Sequence, residues 1–443
     1  MSAPEFSVEI FQNEYLAGEA REVSAVVSVT SEGLPVHAAT ATGAAEIIIV
    51  DTSGSMSAPQ AKMIEAREAT AAAIDAIRDG VAFAVIAGSH YARSLYPAKE
   101  SMAIASPQTR ADAKRTLRFL RPEGGTAMGS WLRLAHQIFI TRDEQLRHAI
   151  LLTDGMNQSQ SVSALDSALE LCTGVFSCDC RGVGTDWKVE ELRRISTALL
   201  GTVDIIPDAS GLAADFEAMM AASMAKEVAD VKLRVWTPQH AAVRFVKQVA
   251  PMIEDLTNRR TQVSPQAGDY PTGAWSADES RDYHIRVDVQ PAAVGQEMLA
   301  ARVSLVQASD AGPLTLGQGL VKAIWTDDEE LSTKINRHVA SYSAQTELAQ
   351  AIQDGLEARE KGDVETAETL LGRAVDLARE SGNELSSKLL SNVVDIDEET
   401  GTVRLKPKIV EADAMALDTK STKTVRVKNK PYDRAGQEVD SDQ

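Results

Sequence analysis

The stretch that most limits how this chain can fold is Ala45 to Met56, AEIIIVDTSGSM, where an apolar run stops at a cluster of small oxygen-bearing side chains. Ile47, Ile48, Ile49 and Val50 are β-branched without polar alternation, which suits a central strand of a parallel sheet covered by helices on both faces. Asp51, Ser53 and Ser55 then follow along the turn at the carboxyl end of that strand, where open α/β sheets place ligands. Three oxygens spaced i, i+2 and i+4 can converge on one hard cation.

From Glu46 to about Ala222, apolar runs alternate with amphipathic segments, which predicts a doubly wound, mostly parallel α/β sheet. The expected strands are EIIIV, VAFAVIAG from Val81, HAILLTD from His148, CDCRGVG from Cys178 and TVDIIP from Thr202, with ARSLYPA from Ala92 at an edge. Helices are expected over Lys62–Ile77, Pro107–Leu120, Met128–Ile140, Val162–Leu171, Val189–Leu199 and Ala213–Met224. Residues before Gly43 and those from Val228 to Trp325 instead alternate at period two, so together they predict an antiparallel β-sandwich into which the α/β unit is inserted. The expected divisions are residues 1–43, 44–225, 226–326, a helical hairpin over 327–391, and a tail over 392–443. Gly362 and Asp363 separate the two helices of the hairpin as stop and N-cap. AREKGDVETAETLLGRAVDLARESGN resembles one tetratricopeptide unit, but a stable array needs about three. In the tail, VVDIDEETGTVRLK has a hairpin pattern, and the basic stretch Lys420–Arg434 suits a strand edge protected by lysines.

The net charge of −19 argues against a broad nucleic-acid or anionic-membrane surface. The first residues carry no apolar core of a signal peptide, and no run approaches the roughly 18 apolar residues of a membrane span. A cytoplasmic protein is therefore expected. The three cysteines, Cys172, Cys178 and Cys180, make no framework of pairs and are expected as buried reduced thiols.

Two further stretches give the opening turn its specificity. Gly124-Gly125-Thr126 precedes a helix and brings another hydroxyl to the sheet rim, and Leu151-Leu152-Thr153-Asp154-Gly155 ends a second apolar strand with a carboxylate. DTSGSM, GGTAM and LLTDG together resemble the metal-ion-dependent adhesion site of the von Willebrand factor type A family, over about Ala45 to Ala222. Carried over by position, the resemblance implies that Ser53, Ser55 and Thr126 bind a cation directly, and that Asp51 and Asp154 do so directly or through water. An oxygen set without His or thiolate selects Mg²⁺ first, with Mn²⁺ or Ca²⁺ next.

The resemblance implies a binding module, not an enzyme: the metal captures an Asp or Glu of a partner protein. Suggested settings are an AAA+ ATPase of the chelatase or MoxR type, or a signalling assembly with kinases and phosphopeptide-binding domains. One rival is a metal-assisted hydrolase, for which Asp143, Glu144 and Asp186 are candidate bases. No nucleophile with an adjacent His base can be assembled, and His90, His136 and His148 are expected as core or surface residues. The other rival is a structural protein with an empty site.

Overall fold

The computed structural model describes residues 5–32, 43–207, 209–309, 312–397 and 402–427. Three strands come first: β1 (Glu5–Gln12), β2 (Tyr15–Ala17) and β3 (Glu22–Glu32). The α/β unit follows as β4 (Ala44–Asp51), α1 (Ala61–Ala76), β5 (Ala82–Gly88), β6 (Ala92–Tyr96), β7 (Ala103–Ile104), α2 (Pro107–Thr116), α3 (Met128–Phe139), β8 (Leu146–Thr153), α4 (Val162–Cys172), β9 (Ser177–Val183), α5 (Val189–Ala198), β10 (Val203–Ile206) and α6 (Leu212–Met224).

The strands of this unit lie in the order β10-β9-β8-β4-β5-β6, all parallel except β6, which pairs with β5 antiparallel, and the short β7, antiparallel to β5. The chain winds from β4 to one side through β5, then crosses back to place β8 on the other side. Connections therefore diverge between the carboxyl ends of β4 and β8, the switch point where doubly wound sheets open a crevice. Alternate residues of β4 feed two separate cores, as its apolar run requires. Ile47 and Ile49 pack with Trp131, Leu132 and Ile138 of α3, while Ile48 and Val50 pack with Met63 and Ala66 of α1 and Phe216 and Met220 of α6.

The remaining β residues form β11 (Lys226–Trp236), β12 (Ala242–Ala250), β13 (Glu254–Asp255), β14 (Thr261–Ser264), β15 (Ala267–Ser276), β16 (Ser280–Asp288), β17 (Glu297–Gln307) and β18 (Leu314–Thr326). They join the first three strands in two sheets, β1-β3-β16-β12-β13 and β14-β15-β11-β17-β18-β2. The core between them holds Val27 and Val29 from β3 and Tyr283 from β16 against Leu233, Trp275, Val303 and Trp325 of the other sheet. Pairing is antiparallel apart from β2, which lies parallel to β18. Strand β2 is too short for its direction to be read from alternation.

Past the sandwich come α7 (Glu329–Thr333), α8 (Arg337–Glu360), α9 (Val364–Glu380), α10 (Glu384–Val393), β19 (Val394–Ile396), β20 (Val403–Leu405) and α11 (Glu411–Lys420). Helices α8 and α9 make the expected hairpin, with Asp363 accepting the Thr366 amide at the start of α9, and α10 adds a third helix. Strands β19 and β20 pair antiparallel, while the intervening Thr400 and Gly401 lie outside the described residues. Helix α11 falls within the segment expected only as a tail. It packs along β10 and is fixed by Arg193, whose guanidinium donates to Asp418 at 2.6 Å. The basic stretch then follows the sandwich, where Lys423 bridges antiparallel to Met252. Its charges are paired within the chain: Lys423 with Asp204 at 2.8 Å and Arg426 with Asp282 at 3.3 Å. The rest of that stretch, residues 428–434, lies outside the described residues.

Candidate metal centre

Strand β4 delivers Asp51 to the rim, and the turn after it is fixed before any ligand is considered. Thr52 holds it to β5 through its amide and hydroxyl, which donate to the Gly88 carbonyl at 2.6 and 3.0 Å. Met56 is buried in the core and tethers the far end of the turn. Ser53 donates its amide to Asp51 Oδ1 at 2.6 Å, its hydroxyl lies 2.9 Å from that of Ser55, and the Ser55 hydroxyl donates to Asp154 Oδ1 at 2.6 Å. The second loop meets the first backbone to backbone, with the Gly54 amide donating to the Gly124 carbonyl at 2.8 Å. A Cβ on Gly54 would sit 3.2 Å from that carbonyl, a tight contact that the absence of a side chain avoids. Thr126 is held by the third loop, whose Ser159 amide donates to its carbonyl at 2.9 Å.

All five nominated residues therefore come together. The position a Cβ would take on Gly155 lies 3.1 Å from Ser55 Oγ, 3.2 Å from Thr126 Oγ1 and 3.8 Å from Ser53 Oγ, so three hydroxyls from two loops surround one point beside Asp154. Asp51, Ser53, Thr126 and Asp154 are buried, and Ser55 is exposed and marks the mouth. Burial pushes the Asp51 carboxyl up to about 6, against the hydrogen bonds from Thr153 and Ser53, and the charge of Asp154 adds to the rise. A pocket that makes the Asp51 charge costly is one that a cation relieves. Part of that charge is met by Lys62 of α1, whose ammonium donates to Asp154 Oδ2 at 2.8 Å and lies 3.4 Å from Asp186. Burial works against the Lys62 charge, yet Asp154 outweighs it and its pKa is raised.

Comparison with known proteins puts this geometry in context. A model described as the von Willebrand factor type A domain matches residues 45–205, and one described as the von Willebrand factor type A C-terminal domain matches residues 376–421. A solved structure of a von Willebrand factor type A protein from Catenulispora acidiphila is 50% identical over 96% of this chain and 98% of that one, with a TM-score of 0.92. The chain belongs to the von Willebrand factor type A family. Domains of this family are generally metal-dependent protein-interaction modules. The fold is shared by the ArnB paralog VWA2 from Sulfolobus acidocaldarius, at 14% identity over 94% of this chain and 98% of that one, with a TM-score of 0.58. Proximal thread matrix protein 1 from the mussel byssus, solved with a zinc-occupied MIDAS motif, aligns over 42% of this chain and 46% of its own at 24% identity and a TM-score of 0.36. No curated protein matches.

In this von Willebrand factor type A chain, the other nominated residues separate from the centre. His148 lies near the opposite end of β8, its ring between Glu46 at 2.8 Å and Asp179 at 3.0 Å. His136 sits in α3 with its pKa lowered by burial and by Arg147. Asp143 and Glu144 precede β8, also away from the rim, and Glu144 pairs with Arg142 at 2.6 Å. Asp186 does reach the site's edge through Lys62, and exposed His90 packs edge-on to Tyr91 beside the Gly124 loop. Among the described residues, no group of three His, Cys, Asp or Glu side chains forms a metal cluster, and the three cysteines are buried and free. Sequence reasoning missed Thr153, whose hydroxyl donates to Asp51 Oδ2, and Lys62. Thr153 was readable from its place directly before Asp154. Lys62 was not, because its partner lies 92 positions away.

Proposed function

We propose that this chain captures Mg²⁺, or Mn²⁺ or Ca²⁺, between Asp51, Ser53, Ser55, Thr126 and Asp154, and uses it to bind an Asp or Glu carboxylate of a partner protein. The observation that carries the reading is the convergence of three hydroxyls around one point flanked by two buried carboxylates. Hard oxygen donors fit these ions, and two carboxylates neutralise a dication while leaving it an electrophile toward one more anionic oxygen. The chain's own contribution is preorganisation: Thr153 and the Ser53 amide fix Asp51, Ser55 holds Asp154, and the Gly54–Gly124 contact sets the distance between loops.

The reading is of a binding protein and not an enzyme, acting in the cytoplasm within an AAA+ ATPase or signalling assembly. No helix of the described residues is long and apolar enough to cross a membrane. Calorimetric titration of Mg²⁺ and Mn²⁺ into the parent and into the double variant Ser53→Ala, Ser55→Ala tests it. Saturable binding is expected in the parent and should be lost in the variant. A pull-down in Mg²⁺ and in chelator, with parent and variant, then isolates partners that depend on the metal. Absence of metal binding in the parent, or Mg²⁺-dependent turnover abolished by Asp154→Ala, refutes the proposal.

A further inference from the structure

At the lip of the candidate site two carboxylates are already held within the chain, Asp186 by Lys62 and Glu123 by Tyr91, and the charge that remains is lopsided. On one side, the stretch Met156–Ser161, MNQSQS, carries no charge. On the other, the segment from Leu117 to Glu123 runs into the Gly124–Thr126 loop and is fastened to the metal turn, with the Glu123 amide donating to the Thr52 carbonyl at 2.7 Å. Three side chains hold this segment in place. Arg67 donates to the Leu120 carbonyl, Arg93 to the Phe119 carbonyl at 3.3 Å, and the Tyr91 hydroxyl to Glu123 at 2.7 Å. The outcome is a braced platform that turns Arg118, Phe119 and Arg121 outward. The Arg118 guanidinium lies 4.8 Å from the Phe119 ring centre, and Phe119 is 50% exposed.

Among the described residues neither Arg118 nor Arg121 has an ion-pair partner, although the chain carries a net charge of −19. Many of its other cations are matched, including Arg110 with Asp79, Lys114 with Asp75 and Arg115 with Asp112 nearby. Exposed arginine and aromatic side chains fixed by their own backbone are the residue types that anchor protein interfaces. Their charge steers and selects an acidic ligand, whereas the acidic remainder of the surface repels it.

Building on the metal-dependent reading above, we propose that Arg118, Phe119 and Arg121 form the second half of the recognition surface. The partner supplies an acidic segment: one carboxylate reaches the metal, and adjoining Asp or Glu residues pair with the two arginines. The platform thus sets which carboxylates are accepted, while the metal sets that a carboxylate is required.

The test uses the full chain and two labelled synthetic peptides, one with a single Asp among Gly and Ser, the other with that Asp flanked by Glu. Binding is followed by NMR titration and fluorescence anisotropy in Mg²⁺ and in chelator. The flanked peptide is expected to bind the parent more tightly. Arg118→Gln with Arg121→Gln should weaken it about 2- to 30-fold, the range for two exposed ion pairs, and leave the single-Asp peptide and the Mg²⁺ affinity unchanged. The difference between peptides should vanish at high salt. Equal affinity of both peptides, or no effect of the arginine substitutions while the single-Asp peptide still binds in a metal-dependent way, overturns this inference alone. Loss of metal dependence for the single-Asp peptide refutes the underlying reading instead. Flanked-peptide binding that survives chelator but needs the arginines also overturns the inference, since the platform then acts apart from the metal.

Discussion

Lys62→Met is the substitution that best separates charge balance from architecture at this site. It keeps an unbranched apolar stem on α1 and removes only the ammonium, which lies 2.8 Å from Asp154 Oδ2. The Lys62 side chain is 11% exposed and that of Asp154 0%, so the carboxylate loses a cation it cannot replace from water. Removing one partner of a fully buried pair costs about 3–5 kcal/mol. Here Ser55 still donates to Asp154 at 2.6 Å and the mouth is open at Ser55, so a loss of about 1–3 kcal/mol is expected in metal-free protein. A bound dication restores positive charge at the same carboxylate. Where the metal erases the whole deficit, the thermodynamic cycle makes it bind the variant more tightly by the same amount, about 5- to 150-fold. Calorimetry gives the affinity, and urea unfolding with saturating Mg²⁺ and with chelator gives the two stabilities. Equal metal affinity in parent and variant, or an unfolding deficit that metal does not shrink, would refute the reasoning. Weaker metal binding would mean that Lys62 shapes the loop instead of balancing its charge.

Three further outcomes are expected. Gly155→Ala puts a methyl group 3.1 Å from Ser55 Oγ and 3.2 Å from Thr126 Oγ1, so both hydroxyls must yield; metal affinity should fall about 10-fold with unfolding by urea nearly unchanged, and an unaltered titration would contradict the proposed ligand set. Burial opposes the His148 charge, yet Glu46 and Asp179 outweigh it and hold the imidazole up to about 10 against 6.5 unfolded. The folded state therefore keeps the proton longer, and its contribution is complete below pH 6.5 and lost as pH rises through about 10. Urea midpoints across that window should decline in the parent and less in His148→Gln; parallel profiles would show that His148 does not supply the slope. Arg426→Met leaves buried Asp282 to the hydroxyls of Ser28 and Tyr342, and should destabilise the sandwich by about 1–2 kcal/mol, read from fluorescence of buried Trp275 and Trp325 in urea; an unshifted transition would mean that solvent already screens the pair.

What the sequence disclosed depended on how local each signal was. Ile47 to Val50 announced a strand buried on both faces because the cause, helices on either side, leaves a pattern within four adjacent residues. The convergence of the five nominated residues was legible since their loops follow an apolar run or precede a helix, and such ends share one rim in a parallel sheet. The charged network of Glu46, His148 and Asp179 was not, because each member looks like a stray polar residue in its own strand. Their meeting depends on the neighbour relations β4–β8 and β8–β9, which no single segment encodes. Helix α11 was hidden for a different reason. It is a short segment whose apolar burial rests on Ala414, Met415, Ala416 and Leu417, and its helical state is supported by the edge of β10 that it covers. Lys420 and Lys423 looked like free charge until β10 supplied Asp204.

The pairing of β3 with β16 has a consequence for biosynthesis. Thr30 and Ser280 meet side by side although they are 250 positions apart in the chain. On a ribosome adding about 5–20 residues per second, the β1–β3 hairpin emerges roughly 10–50 s before its other neighbour exists. During that delay Val23, Ala25, Val27 and Val29 have no opposing sheet, whereas the α/β unit, whose strands pair largely among themselves, can build nearly all of its two cores, with Met415 and Ala416 of α11 added later. The nascent hairpin is thus the segment that a chaperone would hold, and the α/β unit the one that folds while it waits.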